Sequence, residues 1–136
     1  MKERTCFIDA DVFVNAFVNL DVEKNKASRN LLEQLEQGKI KLLTDFLVLV
    51  ETYYIIEKYK GIDIAIDVVK ELLTFNNLEI IPLDNHAFFE AVKRVKKYTL
   101  RINDVLHYTI ALLNNASNFY SYDTDFDNLE IKRIEP

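Results

Sequence analysis

The stretch Cys6–Val14, C-F-I-D-A-D-V-F-V, is the part of the chain that most restricts its fold. A short apolar run ends in an aspartate, and an apolar-periodic segment begins at once, with no turn residues between. That junction reads as a first strand, Thr5–Asp9, feeding directly into a first helix that Asp11 opens. Such a join is the repeating unit of α/β folds, in which ligands bind beyond the carboxyl ends of the strands. Asp9 is delivered to that edge.

The rest of the chain repeats the alternation. The apolar spacing predicts helices over 11–20, 23–37, 46–60, 62–75, 85–97 and 103–115, and strands over 39–44, 78–82, 118–121 and 129–134. In the first helix Val12, Ala16 and Leu20 share a face. In the second Ala27, Leu31, Leu32 and Leu35 do, and Gly38 stops it. In the fourth the spacing selects Ile62, Ile66, Val69 and Leu73, and in the last Val105, Leu106, Ile110 and Leu113. Thr44 or Asp45 is placed to cap the third helix and Asp84 the fifth. The expected architecture is a three-layer α/β/α domain over residues 1–136, with a mostly parallel sheet and right-handed crossovers. The 136-residue length suits one domain with one core.

Four acids sit where surface charge does not explain them together. Asp9 ends the first strand, and Glu51 is the one charge in F-L-V-L-V-E-T-Y-Y-I-I, a run so apolar that a largely buried helix is expected. Asp104 lies in the first turn of the last helix, and Asp123 follows the fourth strand within S-Y-D-T-D-F-D. Strand ends and helix N-termini share one edge of a parallel sheet, so the four can converge. Converging carboxylates repel unless a counter-charge joins them. A hard divalent cation, Mg²⁺ or Mn²⁺, accepts oxygen ligands and keeps several waters. No His/Cys cluster suggests zinc. Carboxylate-held metal and water are the equipment of phosphodiester chemistry.

The four blocks, in order, resemble the PIN-domain nucleases, and more closely the VapC-type toxins of toxin–antitoxin pairs. F-I-D-A-D-V-F places the first acid at Asp9, V-L-V-E-T-Y-Y-I-I the second at Glu51, and R-I-N-D-V-L-H-Y-T-I-A the third at Asp104. S-Y-D-T-D-F supplies Ser121, Asp123 and Phe126. The resemblance implies strand order 3-2-1-4-5 and a Mg²⁺- or Mn²⁺-dependent endoribonuclease, the toxin of a toxin–antitoxin system. It also implies Asp9, Asp104 and Asp123 as metal ligands and Glu51 as a ligand or the group orienting the attacking water. Ser121, Asp11 and Asp125 would support these carboxylates. An antitoxin is the implied protein partner, and a second copy of the chain is expected from the apolar surplus of the first and fifth helices.

A net charge of −5 argues against coating nucleic acid by bulk charge, so RNA needs a local dock. Lys93, Arg94, Lys96, Lys97 and Arg101 offer one beside Asp104. His107, one turn beyond Asp104, reads as a packed helix residue, and His86 as exposed. Phe13, Phe17, Val18, Phe88, Phe89 and Val92 exceed the needs of two short helices and suggest an interaction patch. Lone Cys6 fits an inert buried thiol. With no leader and no apolar run near ~18 residues, a cytoplasmic location is expected. Two rivals remain. C-F-I-D-A-D-V also resembles the first motif of haloacid-dehalogenase-type phosphatases, with Asp9 as nucleophile and Asp11 as acid/base. The other is a PIN-like interaction module without catalysis.

Overall fold

A computed structural model describes residues 5–136. β1 (Cys6–Ile8) leads into α1 (Ala10–Phe17) and α2 (Val22–Glu36); β2 (Leu42–Asp45) leads into α3 (Phe46–Lys60) and α4 (Ile62–Thr74). β3 (Leu78–Ile81), α5 (Asn85–Arg94), α6 (Ile102–Leu113), β4 (Asn118–Tyr120) and β5 (Lys132–Ile134) complete the order, with a 3-10 turn at Thr124–Phe126. The strands form one sheet in the order 3-2-1-4-5, and every neighbouring pair is parallel. β1 therefore lies at the centre, with Phe7 opposite Leu43 on one side and Phe119 on the other. The order reverses between β1 and β4, the position where such sheets open a crevice at their carboxyl edge.

Burial of both sheet faces explains the apolar residues at the middle of the sheet. Phe7, Ile8, Leu42, Leu43 and Phe119 are essentially inaccessible, and Phe7 and Phe119 stack at 4.9 Å. Aspartates cap three of the helices that leave the sheet. Asp9 accepts from Ala10 N at 2.8 Å, Asp45 from Val48 N at 2.8 Å and Asp84 from Ala87 N at 2.8 Å. Gly38 (φ +74°) and Gly61 (φ +91°) take the left-handed backbone that ends α2 and separates α3 from α4.

Several sequence expectations are corrected. Asp9, not Asp11, starts α1, because the strand-end carboxylate itself meets the first free amide. α1 stops at Phe17, leaving Leu20 55% exposed rather than in the apolar face. β2 runs from Leu42 to Asp45, and α5 ends at Arg94, short of Lys97. β5 begins at Lys132, since Glu130 and Ile131 bond to Tyr108 instead of a strand. α4 buries Ala65, Val68 and Leu72 against the core, and the selected Ile62, Ile66 and Leu73 are exposed. Both faces of α4 are apolar, so spacing alone did not say which would pack. Nor is α3 largely buried: Val48, Leu49, Thr52 and Ile56 face inward, while Phe46, Val50 and Tyr54 face out. Phe13 and Val18 belong to the core, whereas Phe88, Phe89 and Val92 are exposed. Cys6 is half-buried, 3.5 Å from Ser117 Oγ. Among the described residues no helix is long and apolar enough to cross a membrane.

Candidate active site

Asp9 stands where β1 ends, and its two carboxylate oxygens have different jobs. Oδ1 caps α1, and Oδ2 accepts from Ser121 Oγ at 2.9 Å, just past β4. The Asp9 amide donates to Tyr120 O at 3.0 Å, which locks the adjacent strand ends together. Two residues along, Asp11 Oδ2 lies 3.1 Å from Ser121 Oγ and accepts from Tyr122 N at 3.1 Å. Among the described residues Asp11 Oδ1 is buried without a hydrogen-bond partner. Ser121 Oγ also accepts from Asp123 N at 3.0 Å. Asp123 in turn accepts from Asp125 N at 2.9 Å, fixing the turn after β4. Ser121 thus joins Asp9, Asp11 and Asp123 through one atom.

The opposite wall is made by α3 and α6. Glu51 accepts from Asn103 Nδ2 at 3.2 Å, and both its oxygens lie 3.1 Å from His107 Nε2. His107 Nδ1 lies 2.7 Å from Asp45 Oδ2. Asp9, Glu51 and His107 each place a ligand-type atom within 4.8 Å of the others. Asp104 and Asp123 are half-buried and stand outside that triplet, though the pair interact electrostatically, and Asp104 also feels Glu51, Asp125 and His107. The folded chain therefore brings Asp9, Asp11, Ser121 and Asp123 together on one side and Glu51 and Asp104 on the other.

The electrostatics are those of crowded acids in a poorly solvated cleft. Burial, then the charge of Asp11, pushes the Asp9 carboxyl up to about 7. Burial pushes Asp11 up to about 6, against hydrogen bonds from Tyr122 and Ser121 that favour the anion. Burial likewise raises Asp104, His107 opposing. For His107 burial acts downward, but hydrogen bonds to Asp45 and Glu51, with the charges of Asp45 and Asp9, outweigh it and hold the imidazole up to about 10. The histidine is therefore a cation among carboxylates.

Sequence reasoning placed His107 in the packing and gave Asp45 only a capping role. The structure shows His107 fully buried and facing the site at once, and Asp45 fully buried with its second oxygen on His107. The position of His107 one helical turn from Asp104 was the available signal. The basic run is partly spoken for: Lys93 and Arg94 pair with Glu90 at 3.4 and 2.8 Å, and Lys97 with Glu130 at 2.6 Å. Lys96 and Arg101 are exposed. Tyr98 is buried, and His86 is exposed, as expected.

A central strand that hands its terminal aspartate straight to a helix, with further acids from α3, α6 and the β4 turn around it, defines a PIN domain. The PIN domain family model matches residues 6–132, and the chain belongs to that family. Among solved structures, Mycobacterium tuberculosis VapC20, described as a sarcin-ricin loop cleaving toxin, superposes with TM-score 0.78 at 15% identity. That match covers 96% of this chain and 99% of the other. VapBC2 of Rickettsia felis, bound to a DNA fragment from its promoter, gives 0.71 at 19% identity over 96% and 98% of the two chains. A toxin–antitoxin complex from Klebsiella pneumoniae gives 0.65 at 14% identity, covering 92% of each. No curated protein sequence matches the chain. With α1 beginning at Ala10, no room is left after β1 for the flap that a phosphatase of the haloacid-dehalogenase type requires.

Proposed function

We propose that the chain is a metal-dependent endoribonuclease, the toxin of a toxin–antitoxin pair. What supports this is Asp9 at the carboxyl edge of β1, within 4.8 Å of Glu51 and His107, tied through Ser121 to Asp11 and Asp123, with Asp104 in electrostatic reach of Glu51 and Asp123, within a PIN fold. The donor set fits a hard divalent ion, Mg²⁺ or Mn²⁺. Among the described residues Asp11 Oδ1 is buried without a partner, and Asp9 and Asp11 are both driven toward neutrality by burial. These are groups a cation would satisfy. Asp9, Asp104 and Asp123 would hold it, with Glu51 as a further ligand or the group that orients water. Ser121, Asp11 and Asp125 would support them. When bound, such an ion supplies Lewis acidity toward a phosphate oxygen and lowers the pKa of bound water.

The chain's own residues do the rest. The Ser121 hydroxyl and the Ala10 amide fix the Asp9 carboxylate in one rotamer, and the Asp125 amide fixes Asp123. His107 keeps a positive charge beneath the acids and holds Glu51. Lys96 and Arg101, with Lys93, Arg94 and Lys97 behind them, would dock the RNA backbone. Structural neighbours described as toxin–antitoxin complexes support an antitoxin as partner. The apolar surface left on α3 and α4 supports association with a second chain.

Cleavage of RNA in Mg²⁺ or Mn²⁺ tests the reading. Asp9→Asn and Asp104→Asn should each lower the rate by ~100-fold or more. Mn²⁺ should raise the melting temperature of the wild type and not of these variants. Turnover of a small phosphomonoester through a covalent Asp9 phosphate would overturn the assignment. Lys96→Glu combined with Arg101→Glu should weaken RNA binding across sequences and flatten its salt dependence.

A further inference from the structure

His107 is completely buried, and both its ring nitrogens are engaged, one in each direction. Nδ1 meets Asp45 Oδ2 at 2.7 Å, and Nε2 meets both oxygens of Glu51 at 3.1 Å. Asp45 is itself fixed, because its other oxygen accepts from Val48 N at 2.8 Å at the start of α3. The contacts therefore form a closed circuit. It starts at the N-terminus of α3, passes through Asp45 to an imidazole from α6, and returns to Glu51 further along α3. Phe7 of β1, ring centre 6.2 Å from the imidazole, walls one side. A half-buried glutamate with three rotatable bonds would otherwise sample several rotamers. Here both its oxygens face one donor, and the group lies within 4.8 Å of Asp9.

We propose that His107 is a positioning residue for Glu51, with Asp45 setting the orientation of the imidazole, so that the Glu51 carboxylate is held toward Asp9. A buried histidine that merely ties α6 to α3 would need one hydrogen bond to α3; this one has an orienting carboxylate behind it and grips a site carboxylate in front. Carboxylate–histidine pairs that steer another group are a recurrent device for fixing ring direction. The inference rests on reading Glu51 as part of the cation-binding group.

Two substitutions separate the arms of the imidazole. His107→Asn keeps a donor that reaches Asp45 and loses the reach to Glu51. His107→Gln keeps a donor that reaches Glu51. Mn²⁺ affinity by calorimetry and kcat on RNA are measured for both, for Glu51→Gln, and for His107→Asn combined with Glu51→Gln. His107→Asn should lower one or both quantities by ~10–100-fold, matching Glu51→Gln. The double variant should be no worse than Glu51→Gln alone, because the residues act in series. His107→Gln should recover most of the loss. Wild-type values in a folded His107→Asn, additive losses in the double variant, or nitrogen coupling to bound Mn²⁺ in electron spin-echo spectra would each overturn the proposal. If His107→Asn does not fold, Asp45→Asn replaces it, with a smaller loss of the same quantity expected and wild-type values overturning the proposal. A wild type that binds Mn²⁺, with non-additive losses of affinity across these variants, but cuts no RNA removes the nuclease reading and leaves the relay. Cleavage with additive losses does the reverse.

Discussion

A hydroxyl has one hydrogen, and Ser121 sets it between two carboxylates, 2.9 Å from Asp9 and 3.1 Å from Asp11. It cannot serve both fully, and burial favours a proton on the carboxyls themselves. Asp9, pushed up to about 7 chiefly by burial, carries one near neutrality. The sign follows directly. Between its ordinary value of 3.8 and about 7 the folded state binds more protons than the unfolded chain, so Asp9 makes the metal-free protein less stable as pH rises through that window. A cation must displace the same proton. Mn²⁺ affinity should therefore climb as pH rises from about 5 to about 7 and level off above, with proton release detectable by calorimetry in buffers of different ionisation heat. A pH-independent affinity would contradict the burial of Asp9. At this scale the sequence was informative about the acids, because each lies at a recognisable junction of strand or helix. It was silent about the Asp45–His107 contact, since the partners lie 62 residues apart and nothing local marks a second use for a capping oxygen.

At the scale of elements, legibility depended on whether one face or two were apolar. α3 was bounded correctly because Asp45 and Gly61 punctuate it. α4 had two apolar faces, and only packing decided that Ala65, Val68 and Leu72 would be the inner one. The end of the sheet was hardest to read, because polar side chains rather than strand periodicity organise it. Glu130 accepts from Lys97, from Tyr98 and from the buried Tyr108, whose hydroxyl also accepts from Ile131 N at 2.7 Å. Glu130→Ala should cost about 1–3 kcal/mol in denaturant unfolding, chiefly from the orphaned tyrosine donor. A change below about 0.5 kcal/mol would mean that β5 is held by its strand bonds alone. The Lys97 hydrogen bond leads in lowering Glu130 to about 2, so its contribution is fully present above its ordinary 4.5 and is lost as pH falls from there through about 2. With Glu130 about half exposed, the part due to Lys97 should also shrink with added salt.

For the whole molecule, the apolar residues outside the core matter as much as those within it. Phe46 and Val50 of α3 and Leu73 of α4 are 48%, 60% and 53% exposed, and they border one apolar groove. Val50→Lys should leave the unfolding free energy within about 0.5 kcal/mol of wild type, as expected for a surface site. The same change should reduce concentration-dependent association in sedimentation experiments. A wild type that stays monomeric at high concentration would show that this surface has no partner in the chain itself. The placement of β1 carries a last consequence, for the order of synthesis. The central strand is the earliest described one to be made, yet its neighbour β4 is made only after β2 and β3, and the Asp9–Ser121 contact spans 112 residues. Long-range parallel pairing of this kind closes late in folding. A nascent chain can display Asp9 and Glu51 while Asp104, His107 and Ser121 are still untranslated. The cleft is thus assembled only once Ser121 and the turn after β4 have been made.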